Sequence, residues 1–192
     1  MCGRYYIDGE DAIEKVVTEV DERVRKAFFC GDIRPMDSAP VIEPLERGLK
    51  LNVCKWGYPF SKGKNLVINA RVESVMDKPA FYNGIRYHRV IIPASGFYEW
   101  NSWREKNTFT RFDSSVLFMA GFCDYLENER RFVILTTKAN DSMKQIHDRM
   151  PLILELEQLN DWFDDKKVNE LLCQTPVLLK REAEYEQQSL FS

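Results

Sequence analysis

The first residues of the chain, MCGR, include the side chain with the most distinctive reactivity, Cys2. A small residue after methionine is the usual context for removal of Met1, and that removal would make Cys2 the N-terminal residue. Cys2 would then carry an α-amine, with a reference pKa of about 7.7–8.0, and a thiol on adjacent carbons. The amine can add to an aldehyde, and the thiol can then close on the imine carbon to give a thiazolidine ring. An internal cysteine cannot do this because its nitrogen is an amide. The alternative is a start codon followed by an unreactive cysteine.

Five short motifs occur in a fixed order along the chain. CGRY at 2–5 is followed by Asn69-Ala70-Arg71 with Glu73, PASGFYEW at 93–100, LTTKAN at 135–140 and IHDRMP at 146–151. Together they resemble the SOS response-associated peptidase family, also called the SRAP domain. The resemblance runs from Cys2 to about Pro176, nearly the whole chain.

The resemblance implies both a fold and an activity. The fold is α+β, a single compact SRAP-type domain with a mostly antiparallel, β-barrel-like sheet and flanking helices. The activity is self-linkage of Cys2 to abasic sites in single-stranded DNA through a thiazolidine, which shields the lesion during the DNA damage response. We expect residues 2–180 to form this domain and residues 181–192 a flexible C-terminal tail.

By the same resemblance, Asn69, Glu99 and His147 form the catalytic site with Cys2. Opening an abasic sugar and expelling water from a carbinolamine both need proton transfer. His147 suits proton shuttling, and the aromatic neighbours of Glu99 favour its neutral acid form. Asn69 can bond the α-amine or a sugar oxygen without carrying charge. Either Glu99 or His147 remains a candidate for ring opening.

Each of these residues also has a purely structural alternative. Asn69 could cap a turn, Glu99 could be an exposed strand residue, and His147 could end a helix. Asp148 and Arg149 could form an ion pair that orders their loop.

The resemblance also implies contacts with DNA, mainly to phosphate, because a missing base leaves nothing to read. Arg4 and Arg71 match positions that hold the backbone beside the lesion, and Arg149 and Arg89 are weaker candidates. Trp56 and Pro40 are expected to stack on flanking bases. Trp100 and Trp103 either line the groove or fill the core, and for Trp100 we favour the core.

The C-terminal sequence YEQQSLFS suggests a docking segment. Gln187, Ser189, Leu190 and Phe191 resemble the short peptide with which bacterial proteins bind the replication sliding clamp. A Leu-Phe anchor and a glutamine suit an apolar pocket with directional hydrogen bonds. The alternatives are an accidental match or packing of these side chains on the domain.

The elements expected to position the site are mostly strands. Apolar runs predict strands at 49–56, 65–70, 88–93, 97–101, 115–125 and 131–137. Helical spacing predicts an amphipathic helix over 10–28, a short helix over 140–147 capped by Asn140 or Asp141, and one or two helices within 155–173. The Pro-, Gly- and Asp-rich stretch 31–48 is predicted to be loop.

Composition sets the outer limits on function. The chain has 192 residues and a net charge of −3, with −5 concentrated in 155–192 and +2 in the rest, so a local basic patch remains compatible with DNA binding. The five cysteines include no CxxC pair, and there are only two histidines. We therefore expect neither a disulfide framework nor a structural zinc site, and no metal or other cofactor.

The N-terminus has no basic start and no apolar stretch, and no apolar run is long enough to span a bilayer. We expect a cytoplasmic monomer, associated with the nucleoid if the source is bacterial. Two other activities remain open: a cysteine peptidase or autopeptidase with Cys2 as nucleophile, and a non-covalent single-stranded DNA-binding domain.

Overall fold

A computed structural model describes residues 2–9, 13, 16–21, 31–60, 65–113, 115–126 and 128–184. This part contains the following strands: β1 (Tyr5–Ile7), β2 (Glu19–Val20), β3 (Gly31–Ile33), β4 (Ser38–Pro44), β5 (Leu49–Trp56), β6 (Tyr58–Phe60), β7 (Asn65–Val67), β8 (Asn69–Arg71), β9 (Arg89–Ala94), β10 (Gly96–Trp100), β11 (Lys106–Thr110), β12 (Leu117–Leu126), β13 (Glu129–Lys138), β14 (Arg149–Pro151), β15 (Ile153–Leu154) and β16 (Lys180–Ala183). It also contains α1 (Pro79–Tyr87), α2 (Val168–Cys173) and two 3₁₀ turns, Leu156–Gln158 and Asp161–Phe163.

A closed ring of five strands forms the centre of the molecule. β4 pairs with β5, β5 with β13, β13 with β12, β12 with β9, and β9 again with β4. All these pairings are antiparallel except β5 with β13. Every residue of β9 is buried, as are the first seven of β12, because these strands are covered on both faces.

A second, antiparallel sheet has the order β16-β11-β10-β1-β3. It carries the N-terminal segment on β1 and most of the PASGFYEW motif on β10, while the first residues of the motif lie on β9 of the barrel. The motif therefore continues from the barrel into the second sheet. The predicted α+β organisation around a mostly antiparallel, barrel-like sheet is confirmed.

The prediction of a loop over 31–48 is wrong, because β3 and β4 lie within it. Ala39 to Ile42 form a buried apolar run that pairs with β5, and this burial outweighs the flanking turn-forming residues. Pro40 is tolerated in the strand because β4 meets β9 only at Ile42, so no ladder bond to β9 is needed at residue 40.

The prediction of one continuous helix over 10–28 is wrong, although Ile13 is helical. Residues 16–18 are not helical, and Glu19–Val20 form β2, which pairs in parallel with β5. Thr18 and Asp21 donate backbone N–H groups to Leu49 and Leu51. The valines that suggested a helix face are β-branched and fit this pairing as well. Most of the remaining positions in 10–28 lie outside the described residues.

Helix prediction was also imperfect further along the chain. Residues 141–146 form successive turns instead of a helix, although Asn140 does accept the Ser142 N–H in the manner of a cap. The helix α1 was missed, since Pro79 and Gly84 read as breakers. Pro79 occupies the first turn, where its lack of an N–H costs nothing. Gly84 lets α1 lie directly on the ring of Phe122. Within 155–173 the helical prediction is confirmed.

The end of the predicted domain is also marked by a strand. β16 pairs with β11 and runs to Ala183, three residues into the segment predicted as a tail. Residues 185–192 lie outside the described part.

Candidate functional site

Cys2 is held against β10 by the start of the second sheet. Tyr5 pairs with Phe97, and the Tyr98 N–H donates to the carbonyl of Arg4. If this antiparallel register is extended by two residues beyond Arg4, Cys2 falls opposite Trp100. Cys2 is fully buried, so its reactive groups lie inside the protein surface.

Asn69 fixes the backbone of Cys2. Its side-chain Nδ2 donates to the Cys2 carbonyl at 2.9 Å, which also defines the amide orientation, because a carbonyl only accepts. Asn69 begins β8, which lies parallel to β13 with Asn69 beside Ile134. The amide oxygen Oδ1 is buried without a hydrogen-bond partner. The structure therefore joins two of the four predicted catalytic residues and leaves one buried acceptor ready for a donor.

Glu99 is the third predicted catalytic residue, and its charge acts on the Cys2 thiol. Its carboxylate is 4% exposed, which rules out the alternative of an exposed strand residue. Burial raises the pKa of the Cys2 thiol well above its ordinary value, and the negative charge of Glu99 raises it further. The thiol is therefore protonated near neutral pH, with a carboxylate close enough to influence it.

His147 lies just before β14. Its Nδ1 accepts the backbone N–H of Arg149 at 2.9 Å and also lies 2.9 Å from Oδ1 of exposed Asp148. A backbone N–H always carries its hydrogen, so the neutral ring uses its Nδ1 lone pair there and bears its proton on Nε2. A hydrogen bond to Asp148 would instead need a proton on Nδ1, so Nδ1 cannot bond to Asp148 and accept the Arg149 N–H at the same time.

Arg149 is not available as a phosphate contact in this structure. Its guanidinium makes two bonds to Glu73, at 2.6 and 2.8 Å, and a third to the carbonyl of Thr136 at 2.5 Å. It is 6% exposed, and it pairs with Glu73 instead of its neighbour Asp148. This bidentate pair joins buried Arg149 to exposed Glu73 and so ties β14, which follows His147, to the segment after β8.

Arg89 is also committed to the fold. Its Nη1 donates to the carbonyls of Ile85 and Arg86 at the end of α1. Its Nη2 donates to the backbone carbonyl of Phe163 and to the carboxylate of Asp165. These bonds satisfy helix carbonyls that would otherwise lack partners. The weaker expectation of an Arg89–phosphate contact is therefore wrong for this conformation.

Trp56 and Pro40 do not form wedges for DNA bases, because both are buried. The Trp56 indole packs between Tyr5 and Phe132, with ring centroids 5.2 and 6.1 Å away, and its Nε1–H donates to the Ile68 carbonyl. Trp56 thus touches the strand that leads from Cys2 and the residue that precedes Asn69.

The remaining basic candidates are more accessible. The half-buried Arg4 places its guanidinium 5.3 Å from the centre of the Trp100 ring and 3.6 Å from an oxygen of Asp32. Arg71 is exposed at the end of β8, two residues beyond Asn69. Trp100 is half-buried, whereas Trp103 is exposed.

The sequence did not reveal the supporting roles of Glu73 and Trp56. Glu73 stands in the motif Asn69-Ala70-Arg71 with Glu73, and an acid there and an arginine in IHDRMP could have suggested the pair. Trp56, in the segment KWGYP, was assigned to DNA by the family resemblance. Its burial places it in the core instead.

Neither a metal site nor a membrane segment emerges from the described residues. They contain no cluster of three or more His, Cys, Asp or Glu side chains arranged to hold an ion. No described helix has the length and apolar character needed to cross a bilayer. Gln187, Leu190 and Phe191 of the predicted docking segment lie outside the described residues.

Sequence comparison gives a consistent set of relatives. The model of the family described as SOS response associated peptidase (SRAP) matches residues 1–189. The chain is 30% identical over 196 residues to Bacillus subtilis abasic site processing protein YoaM, covering 93% of this chain and 86% of YoaM. Escherichia coli abasic site processing protein YedK is 29% identical over 175 residues, which are 84% of this chain and 79% of YedK. Saccharomyces cerevisiae abasic site processing protein YMR114C is 28% identical, but only 46% of its length is covered.

Solved structures share the fold. A protein from Bordetella bronchiseptica superposes with a TM-score of 0.79 at 24% identity, covering 96% of this chain and all of that one. A protein from Bacteroides thetaiotaomicron gives a TM-score of 0.80 at 19% identity over 95% of this chain and 91% of its own.

Proposed function

Because this chain belongs to the SOS response associated peptidase (SRAP) family, we propose that its Cys2 captures the aldehyde of an abasic site in single-stranded DNA. Removal of Met1 frees the α-amine, and the product is a thiazolidine that links protein to DNA. The observation that carries the proposal is the fixed Cys2, with its carbonyl on Asn69 and its thiol under the influence of Glu99. The names of the bacterial and yeast relatives support abasic-site DNA as the substrate.

The amine reacts first. Its lone pair attacks the aldehyde carbon, a C–N bond forms, and the carbonyl oxygen becomes the hydroxyl of a carbinolamine. Loss of that hydroxyl as water leaves an imine. The thiol does not compete at this stage, because burial and Glu99 raise its pKa and keep it protonated.

Ring closure follows. The sulfur adds to the imine carbon, the S–H proton leaves, and the imine nitrogen gains a proton, so atoms and charge balance. Glu99 is the proposed acceptor of the thiol proton, because its charge already acts on that thiol. Rigid placement of the Cys2 backbone by Asn69 keeps amine and thiol on the same face of the imine.

Two polar groups are assigned to the sugar. The unpartnered Oδ1 of Asn69 would accept a hydrogen bond from the α-amine or from a sugar hydroxyl, removing the cost of a buried acceptor without a donor. His147, whose Nδ1 is occupied by the Arg149 N–H, would use Nε2 to donate a proton to the ring oxygen as the sugar opens. Arg4 and Arg71 would bind the flanking phosphates.

A peptidase mechanism fits the site less well. A cysteine nucleophile in hydrolysis acts as a thiolate and needs a lowered pKa. The Cys2 thiol has the opposite environment, since both burial and a neighbouring carboxylate disfavour its anion. The same environment suits a thiol that acts second, on an imine that has already formed.

A denaturing gel tests the proposal. The mature protein is incubated with an abasic oligonucleotide and with an intact one of the same sequence, and then heated. We expect a shifted band with the abasic strand alone, and an intact mass that lacks Met1. Cys2→Ala should abolish the heat-stable band while leaving an imine that borohydride can trap. Cys173→Ser, at an exposed cysteine, is the matched control and should behave as the natural chain.

A chain with extra residues before Met1 provides the decisive contrast. It keeps the thiol of Cys2 but turns the amine into an amide, so no heat-stable band should form. A crosslink at the normal rate in this variant, or turnover of peptide substrates by the natural chain, would contradict the N-terminal mechanism.

A further inference from the structure

Trp103 is the most exposed large apolar side chain in the described part of the molecule, at 79%. A single exposed apolar residue needs no special explanation in general. An indole, however, exposes a large apolar surface to water, which is energetically unfavourable. Trp56 and Trp162 are fully buried, so exposure is not common to the tryptophans of this chain. The position of Trp103 therefore decides whether its exposure matters.

Trp103 stands at the tip of the hairpin that carries Glu99. β10 ends at Trp100 and β11 begins at Lys106, and these two residues pair across the hairpin. The antiparallel alignment of β1 with β10 runs the N-terminal segment toward the same tip. The exposed indole therefore lies in the turn toward which the chain runs from Arg4 back to Cys2.

The turn is rigid. Oδ1 of Asn101 accepts the backbone N–H groups of both Trp103 and Glu105, at 3.0 and 2.9 Å. Arg104 donates its backbone N–H to the Asn101 carbonyl and adopts a left-handed conformation with φ of 64°. A non-glycine residue in this region costs energy, and the Asn101 bonds hold it in place. Trp103 is therefore presented in a fixed backbone frame.

The charges around the turn suit a nucleic acid backbone. Arg104 is exposed beside Trp103, and Lys106 lies 4.3 Å from the centre of the Tyr98 ring. Arg4 stacks on Trp100 at the base of the same hairpin. Two of the nearby acids are engaged, Asp32 with Arg4 and Glu105 with the Asn101 amide, whereas Glu184, whose backbone N–H donates to Lys106, is exposed. An aromatic face between basic side chains is the arrangement that binds single strands by base stacking.

We infer that Trp103 stacks on the nucleobase next to the abasic site and so positions the lesion over Cys2. This inference rests on the proposed function for the identity of the lesion, but stacking itself requires only a single strand. It also gives the base-stacking role expected of Trp56 to a residue that solvent can reach.

The test separates stacking from charge by removing bases and leaving phosphates. Two oligonucleotides of equal length are compared: one has a single unreactive tetrahydrofuran abasic analogue between normal nucleotides, and the other has three consecutive analogues. Trp103→Ala should lower affinity for the first by about tenfold, in line with the loss of one stacked base. The same variant should bind the second as the natural chain does. Trp103→Phe should retain most of the affinity for the first.

Phe112 provides the matched control, since it is 71% exposed but lies beyond the other end of β11. Phe112→Ala should leave binding to both oligonucleotides unchanged. An equal loss on both oligonucleotides for Trp103→Ala, or no loss on either, would overturn the inference. The assay uses no aldehyde, so it can succeed or fail independently of the covalent reaction proposed for Cys2.

Discussion

Asn69 donates a side-chain hydrogen bond of 2.9 Å to the backbone carbonyl of Cys2, across 67 positions of sequence. The bond acts directly on the residue whose amine and thiol are proposed to react. It also fixes the orientation of the Asn69 side-chain amide, whose Oδ1 is buried without a hydrogen-bond partner.

We predict that Asn69→Ala slows formation of the heat-stable crosslink by about 100-fold, because a reacting group displaced by about 1 Å loses that much rate. Single-turnover kinetics on a denaturing gel measure it. Affinity for a tetrahydrofuran oligonucleotide should change much less, since phosphate contacts dominate binding. Asn83→Ala, at an exposed position on α1, is the control. A normal rate for Asn69→Ala would mean that the bond to Cys2 is only structural.

Glu99→Gln should change the distribution of products. Removing the carboxylate removes one of the two causes of the raised thiol pKa, so that pKa should fall, while burial keeps it above its ordinary value. The variant also lacks the proposed proton acceptor, so the imine should accumulate. Borohydride trapping should capture at least several-fold more imine relative to heat-stable product than in the natural chain.

Glu182→Gln, on exposed β16, is the control for the Glu99 experiment. If Glu99→Gln gives the natural ratio of imine to thiazolidine, the carboxylate does not take part in ring closure.

The pair of Glu73 and Arg149 predicts a pH-dependent stability. The hydrogen bonds from Arg149 lower the pKa of Glu73, against a smaller opposing effect of burial. A carboxyl with a lower pKa in the folded state contributes stability above its unfolded value of about 4.3, and the contribution is lost as pH falls through the folded value. Glu73→Gln should therefore reduce the free energy of unfolding at pH 7 by about 1 kcal/mol, because Arg149 loses its charged partner while solvent screens the exposed Glu73 carboxylate.

Urea denaturation at pH 7 and at decreasing pH measures this contribution. The difference between Glu73→Gln and the natural chain should shrink below about pH 4. Glu157→Gln, an exposed acid, should be indistinguishable from the natural chain at both ends of the range. A difference that is independent of pH would show that the effect comes from packing and not from the ion pair.

The sequence predicted which candidate residues lie close together better than it predicted the contacts that hold them. The motif order predicted Cys2, Asn69 and Glu99, and the structure brings these three together, because strand pairing β1–β10 and the Asn69 side chain act over distances that no local pattern reveals. Four of the five barrel strands were predicted from apolar runs, since burial on both faces leaves a clear signal, whereas β4 lies in the stretch predicted to be loop.

What the sequence could not predict depended on long-range packing. Arg149 and Arg89 are as basic as Arg4 and Arg71, yet Glu73, Asp165 and helix carbonyls engage them in the fold. The β-branched residues within 16–20 are compatible with a helix and with a strand. Pairing of β2 with the edge of β5 favours the strand.

Trp56 offers a test of that distinction. As a core residue it should be sensitive to small changes in volume, so we predict that Trp56→Phe lowers the free energy of unfolding by about 1–3 kcal/mol. The crosslinking rate should fall too, because Trp56 packs on Tyr5 and bonds the Ile68 carbonyl beside Asn69. The salt dependence of DNA binding should be unchanged. A variant of natural stability with weakened base stacking would restore the original assignment to DNA.

The C-terminal segment QQSLF predicts attachment to a replication sliding clamp if the source is bacterial. Deletion of residues 186–192 should abolish binding to purified clamp, measured by titration, while leaving crosslinking to an abasic oligonucleotide intact. Leu190→Ala and Phe191→Ala should each weaken clamp binding by about tenfold, since apolar anchors of this kind contribute most of a peptide's affinity. Ser192→Ala is the matched control and should bind normally. Clamp affinity that survives the deletion would eliminate this partner, whereas its loss would place the proposed crosslinking domain at sites of DNA synthesis and raise its local concentration there.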